Sequence, residues 1–223
     1  MSGILLSYPR CGNSWLRFCV EAISKKPTSP NNTYIQEMRN FIRIDSQESV
    51  LEKAHTLFEF GIDGLTYKQN KTVYHNTKLI LLLRNYKECI MRQNNNYEDS
   101  ILPKQKRFNY MENIIEFETW PKENGLVVYY EDLIVNPKTV LKQCIDFLKL
   151  NGDGIDEFID KHDHYKQKSI EVYDKLMGSS SKGKDLSFHS DKKSKEFLKQ
   201  WDNKIKEKHL DMFNKYLIRY EEK

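Results

Sequence analysis

Cysteine is scarce in this chain. The four that occur, Cys11, Cys19, Cys89 and Cys144, form no CxxC pair and no cluster with histidine at ligand spacing. That argues against a zinc site and fits reduced thiols in a cytoplasmic setting. No apolar run approaches the roughly 20 residues of a membrane-spanning helix, so no membrane span is expected. A cationic start leading into an apolar stretch and a small-residue cleavage site is also missing, which argues against export by a signal peptide. Large net charge is lacking too, at +4. The excess lies in residues 161–223, with 16 basic against 11 acidic side chains. Lys, Asp and Glu are interspersed there as on solvated helices, and no nucleic-acid-binding motif accompanies them.

What is present suits a folded enzyme-sized domain. The 223 residues are 39% hydrophobic and 30% charged, with a mean hydropathy of −0.74. Eleven Phe, 13 Tyr and 3 Trp argue against general disorder. A chain of this length buries roughly 70% of its unfolded surface. No internal repeat and no linker divides it, so residues 1–223 read as one domain.

Three uninterrupted apolar runs punctuate the sequence. Gly3 to Ser7 is stopped by Tyr8-Pro9, Leu79 to Leu83 by Arg84-Asn85, and Leu126 to Tyr130 by Glu131-Asp132. A strand without alternation is buried on both faces, as in a parallel sheet covered by helices. Between them lie helical patterns. Trp15, Phe18, Cys19, Ala22 and Ile23 share one face, with Asn13 or Ser14 as the cap. Val50, Leu51, Ala54, Leu57 and Phe58 predict a helix over 46–60. Further helices are expected over 87–95, over 109–120, from Pro137, and over 191–220. The alternation predicts an α/β fold with a central, mainly parallel sheet flanked by helices.

In such sheets ligands bind beyond the carboxyl ends of the strands. After the first strand come Arg10, Gly12 and a helix N-terminus, the makings of an anion site. The Walker pattern GxxxxGK followed by Ser or Thr is absent, so a nucleoside triphosphate held with magnesium is not supported.

Tyr8-Pro9-Arg10-Cys11-Gly12-Asn13-Ser14-Trp15-Leu16 resembles the 5′-phosphosulfate-binding loop of sulfotransferases. Leu79 to Asn85 resembles the strand and arginine that grip the 3′-phosphate in that family. Tyr130-Glu131-Asp132-Leu133 with Asn136-Pro137 resembles its YEDL…NP segment, and Ser181-Lys182-Gly183 stands where the family has an RKG-like loop. The resemblance implies a P-loop-like sulfotransferase fold. It also implies transfer of a sulfuryl group from 3′-phosphoadenosine 5′-phosphosulfate (PAPS) to a hydroxyl or amine of a small-molecule or glycan acceptor, with PAP released and no metal required. By family position Arg10, Cys11, Gly12, Asn13 and Ser14 would hold the phosphosulfate. Trp15 would wall the adenine with Tyr130 nearby, and Arg84, Lys182 and Gly183 would hold the 3′-phosphate.

Lys53-Ala54-His55 resembles the family's Lys-Thr-His segment, which makes His55 the candidate base and Lys53 a stabiliser of the sulfuryl group. A histidine pKa of ~6.5 suits that task near neutrality. His75 and Glu59 are rival bases. Arg92 stands where the family has Ser, eight residues after the 3′-phosphate arginine, and either brings a charge to the ligand or points to solvent. Glu131 and Asp132 read as structural, His162-Asp163-His164 as surface, and Trp201 as core. A PAP-binding protein without catalysis and a small-molecule or nucleotide kinase on a related sheet are the competing readings.

Overall fold

The computed structural model describes residues 3–57, 61–62, 65–66, 75–93, 109–177 and 195–222. The chain enters on β1 (Gly3–Leu6), then α1 (Asn13–Ser24), β2 (Thr28–Ser29), α2 (Thr33–Arg39) and β3 (Leu51–Ala54). A separate antiparallel pair follows, β4 (Gly61–Ile62) and β5 (Leu65–Thr66). Next come β6 (Leu79–Leu83), α3 (Tyr86–Gln93), α4 (Tyr110–Glu118) and β7 (Gly125–Tyr129). Among the described residues there follow α5 (Tyr130–Val135), α6 (Pro137–Phe147), α7 (Ile155–Asp160), α8 (His162–Met177) and α9 (Lys195–Met212). A π turn, Phe213–Leu217, and a 3-10 turn, Ile218–Tyr220, close the described chain.

One five-stranded sheet runs β2-β3-β1-β6-β7 with every pairing parallel. Its central strands are the two most apolar runs. Ile4, Leu5 and Leu6, and all of Leu79 to Leu83, are at most 2% exposed, because helices cover both faces. The predicted α/β class with a parallel sheet is therefore observed. The apolar face foreseen for α1 is buried in full.

Three local expectations are corrected. Leu51 to Ala54, expected inside a helix over 46–60, form strand β3. The apolar spacing there is compatible with either structure, and parallel pairing to β1 on one side and β2 on the other decides it. The third run gives its last residue, Tyr130, to helix α5. The expected C-terminal helix is also segmented, with non-helical backbone at His209 and a π turn after Met212.

Buried charges fasten the edges. Fully buried Glu21 of α1 accepts from the Thr28 N–H and hydroxyl and takes a two-point contact from Arg39, fixing β2 and α2 against α1. Fully buried Lys87 of α3 pairs with Asp202 of α9 at 3.0 Å and donates to the Tyr220 carbonyl at 2.8 Å. Among the described residues, no helix is long and apolar enough to cross a membrane. Lys87→Ala leaves Asp202 buried without its cation and should cost about 3–5 kcal/mol of stability in urea unfolding.

Candidate active site

The parallel register fixes what meets at the carboxyl edge of the sheet. Leu6 lies level with Ala54 on one side and Leu81 on the other, so Ser7, His55 and Arg84 all emerge at the same end. The β1–α1 loop takes unusual backbone there. Arg10 has φ 73° and Gly12 φ 90°, both left-handed. Gly12 is required twice over, since a Cβ would also lie 2.2 Å from the Tyr130 ring. Gly12 itself is the N-cap of α1 and supplies no side-chain acceptor, so the first-turn N–H groups remain for a ligand. Neither Asn13 nor Ser14 caps the helix. Asn13 instead turns inward and donates to the Ser7 hydroxyl at 2.9 Å, because that buried hydroxyl offers a partner the helix end does not.

Each sequence-predicted loop residue has a definite place. Arg10 is exposed, donating to the Tyr173 hydroxyl at 2.9 Å and to Gln93 at 3.3 Å. The Cys11 side chain is fully buried against Cys89, with 3.5 Å between sulfurs, so only its backbone is available to a ligand. Ser14 is half-buried. Trp15 is 7% exposed, stacks on Phe18, and meets His162 edge-on with ring centres 5.8 Å apart. Trp15 Nε1 and His162 Nε2 are both buried with no hydrogen-bond partner.

The expectation of a surface position for His162 is thereby corrected. Packing against Trp15 and Phe158 buries it to 8%, while Asp163 points fully outward. Among the described residues, no group of three His, Cys, Asp or Glu could hold a metal ion.

Arg84 leaves β6 into a shallow cleft of about 240 Å³ lined also by Glu88, Tyr130, Glu131, Ile134 and Val135. Its guanidinium lies 4.4 Å from the Tyr130 ring centre and donates to both Glu88 oxygens and to the Arg10 carbonyl. Burial opposes its charge, but Glu88, Cys89 and Tyr130 together outweigh that and hold the pKa above the usual arginine value. Arg92 reaches the same Glu88 at 2.5 Å, one helical turn on. It therefore pairs with the same carboxylate that Arg84 uses. Glu88 was not foreseen, although its spacing of four from each arginine is the signal that would have found it.

The β3 correction changes the setting of the candidate base. Lys53 and His55 lie at a strand end, two residues apart and so on one face. His55 Nδ1 is 2.8 Å from the Ser7 carbonyl. A carbonyl only accepts, so Nδ1 carries the hydrogen and the basic lone pair is on Nε2. Burial, reinforced by Lys53 and opposed by the Ser7 bond, lowers the His55 pKa to about 4. That is well below the ordinary histidine value expected from sequence, and it keeps the ring neutral at physiological pH. Burial and then Arg17 also lower the pKa of Lys53. Helix α4 clasps this edge, with Tyr110 donating to the Arg84 carbonyl at 2.7 Å and Asn113 to the His55 carbonyl at 3.1 Å.

His75 is elsewhere. It precedes β6 and packs on Trp120, at the amino end of the sheet, opposite Arg84. Glu59, Lys182 and Gly183 lie outside the described residues. The Tyr130 ring lies against Arg84 and Gly12.

The His55 shift carries a stability consequence with a definite sign. With a folded pKa near 4 against 6.5 unfolded, its contribution is present above pH 6.5 and lost as pH falls toward 4. His55→Gln should therefore flatten part of the acid-side fall in Tm over that window, read by thermal melts from pH 7 to 4.

A family model described as "Sulfotransferase domain" matches residues 3–221. No curated protein matches the chain. Among solved structures it is similar to mouse sulfotransferase SULT7A1 complexed with PAP, at 19% identity and a TM-score of 0.45, over 72% of this chain. That match spans 63% of the mouse chain. It is also similar to a sulfotransferase from Alicyclobacillus acidocaldarius, at 16% identity and a TM-score of 0.41, over 69% of this chain and 83% of that one.

Proposed function

The chain belongs to the sulfotransferase family, and on that premise we propose that it moves a sulfuryl group from PAPS to a hydroxyl or amine acceptor and releases PAP. The observation that carries this reading is one of placement. The uncapped α1 N-terminus, Arg84, and the Lys53–His55 strand end share the carboxyl edge of a single parallel sheet. A cradle for anions and a neutral imidazole are thus offered to the same space.

The residues fit the nucleotide. Two guanidinium groups, Arg84 and Arg92, share one carboxylate, Glu88, which suits a further phosphate charge beside them. The orphaned nitrogens of Trp15 and His162 suit the polar edge of a purine. Arg10, Gly12, Asn13 and Ser14 would hold the 5′-phosphosulfate, with the Cys11 backbone between them. Arg84 with Arg92 would take the 3′-phosphate, and Trp15 and Tyr130 would flank the base.

The donor supplies an activated sulfuryl group whose bond to the phosphate oxygen breaks as the acceptor oxygen or nitrogen bonds to sulfur. His55 Nε2 takes the acceptor's proton, while its Nδ1–H stays on the Ser7 carbonyl and fixes the ring. A positive charge on the imidazole is disfavoured in the free protein, and the anionic sulfuryl group brought beside it relieves that penalty. Lys53, held with its charge partly desolvated, faces the negative charge that builds up. Arg10 and the α1 N–H groups meet the charge arising on the leaving phosphate.

Calorimetry with the purified chain should give micromolar PAP binding, with AMP at least ~10-fold weaker if a 3′-phosphate pocket exists. Equal affinity for PAP and AMP would remove that pocket, and turnover of ATP with magnesium would favour a kinase. Arg10→Ala and Arg84→Ala should weaken PAP. His55→Ala should bind PAP normally and lose ~10²-fold or more in turnover with labelled PAPS over an acceptor panel. Tight PAP binding with no transfer by the wild type to any acceptor would point to a binding protein.

A further inference from the structure

The three residues that follow Arg84 are all tied to the C-terminal part of the chain. The Asn85 N–H donates to Glu131 Oε1 at 2.9 Å, and Glu131 Oε2 accepts from the Tyr220 hydroxyl at 2.7 Å. The Tyr86 hydroxyl donates to Asp202. Lys87 donates to Asp202 and to the Tyr220 carbonyl. Tyr220 is therefore held at both ends, its carbonyl by Lys87 and its hydroxyl by Glu131. Asp202 also accepts from the Glu222 N–H at 3.0 Å, and Arg219 grips Asp132, the neighbour of Glu131, at 2.7 and 2.9 Å.

Glu131 stands between the two halves of this arrangement. It lines the Arg84 cleft, yet both its oxygens are engaged away from any ligand, one by the main chain next to Arg84 and one by Tyr220. The main chain on the other side of that point is fixed by Tyr110 on the Arg84 carbonyl. The Arg84 peptide is thus clamped front and back, and one of the two clamps reaches the C-terminal segment. Small misplacements of a binding group cost large factors in rate or affinity.

We infer that Glu131 and Tyr220 are positioning residues for the arginine arm, making the segment Arg219–Glu222 part of the nucleotide site's geometry. This rests on the reading above, in which Arg84 holds the 3′-phosphate. The ligand they serve is then a nucleotide carrying a 3′-phosphate, and both residues act on it through the Arg84 main chain.

The test compares PAP affinity by calorimetry on the full chain, at a temperature where wild type and variants are all folded, with Tm measured in parallel. Tyr220→Phe removes one hydroxyl and should raise the PAP Kd about 3- to 10-fold. Glu131→Ala removes the acceptor for Asn85 and should raise it about 10-fold or more, while Glu131→Gln, which keeps a carbonyl acceptor, should recover most of that loss. A purely structural role would lower Tm and leave the Kd of the folded protein unchanged. PAP binding within twofold of wild type in both Tyr220→Phe and Glu131→Ala overturns the inference, and Tyr220→Phe decides alone if Glu131→Ala does not fold. An equal loss for AMP, which lacks the 3′-phosphate, also overturns it. Failure of the wild type to bind PAP is a different result, because it removes the functional reading and this inference with it.

Discussion

The parallel alignment of β3 with β1 is the constraint on which the rest of this molecule depends. It sets Ala54 level with Leu6, and from that one register His55 comes to the Ser7 carbonyl and Lys53 to the same face. On the other flank, β6 pairs with β1 in the same direction and delivers Arg84 to the same edge. A slip of one residue would turn Lys53 and His55 to the opposite face of the sheet. The near-total burial of Ile4 to Leu6 and Leu79 to Leu83 prevents that slip, since it would expose or displace a fully packed row.

Charge is distributed in two ways around this frame. Behind the site, buried charges are paired within the protein and serve to hold elements together, as with Glu21 and Arg39 or Lys87 and Asp202. At the site the pairing is shared. Glu88 is divided between Arg84 and Arg92, and Arg10 is exposed, held by a tyrosine hydroxyl and a glutamine rather than by a carboxylate. The left-handed backbone at Arg10 and Gly12 belongs to the same pattern, with strain concentrated where an anion would be met.

The imidazole shows how environment resets the titration of a candidate residue read from sequence. An isolated histidine would be divided between its forms near neutrality. His55 is kept neutral by burial, and the Ser7 carbonyl selects which nitrogen is basic. Asn113 and Tyr110, one turn apart on α4, hold the backbone of His55 and Arg84 and so tie both residues to one helix.

By itself the sequence determined the central strands, because runs such as Leu79 to Leu83 have no polar position to face water. It also determined the loop of Arg10 to Trp15, where glycine and a helix start are local features, and it put forward Arg84, Tyr130, Lys53 and His55 as candidates. Tertiary structure decided what those residues are next to. Leu51 to Ala54 carry apolar spacing that serves helix or strand, and only neighbours far away in the chain make them β3. Asn13 looked like a cap until the Ser7 hydroxyl took it, and His162 looked like surface until Trp15 and Phe158 enclosed it. The hold of Tyr220 on Glu131 spans 89 residues of chain. No local pattern encodes such a contact, since its partners meet only after the sheet has formed and the C-terminal turns have packed beside it.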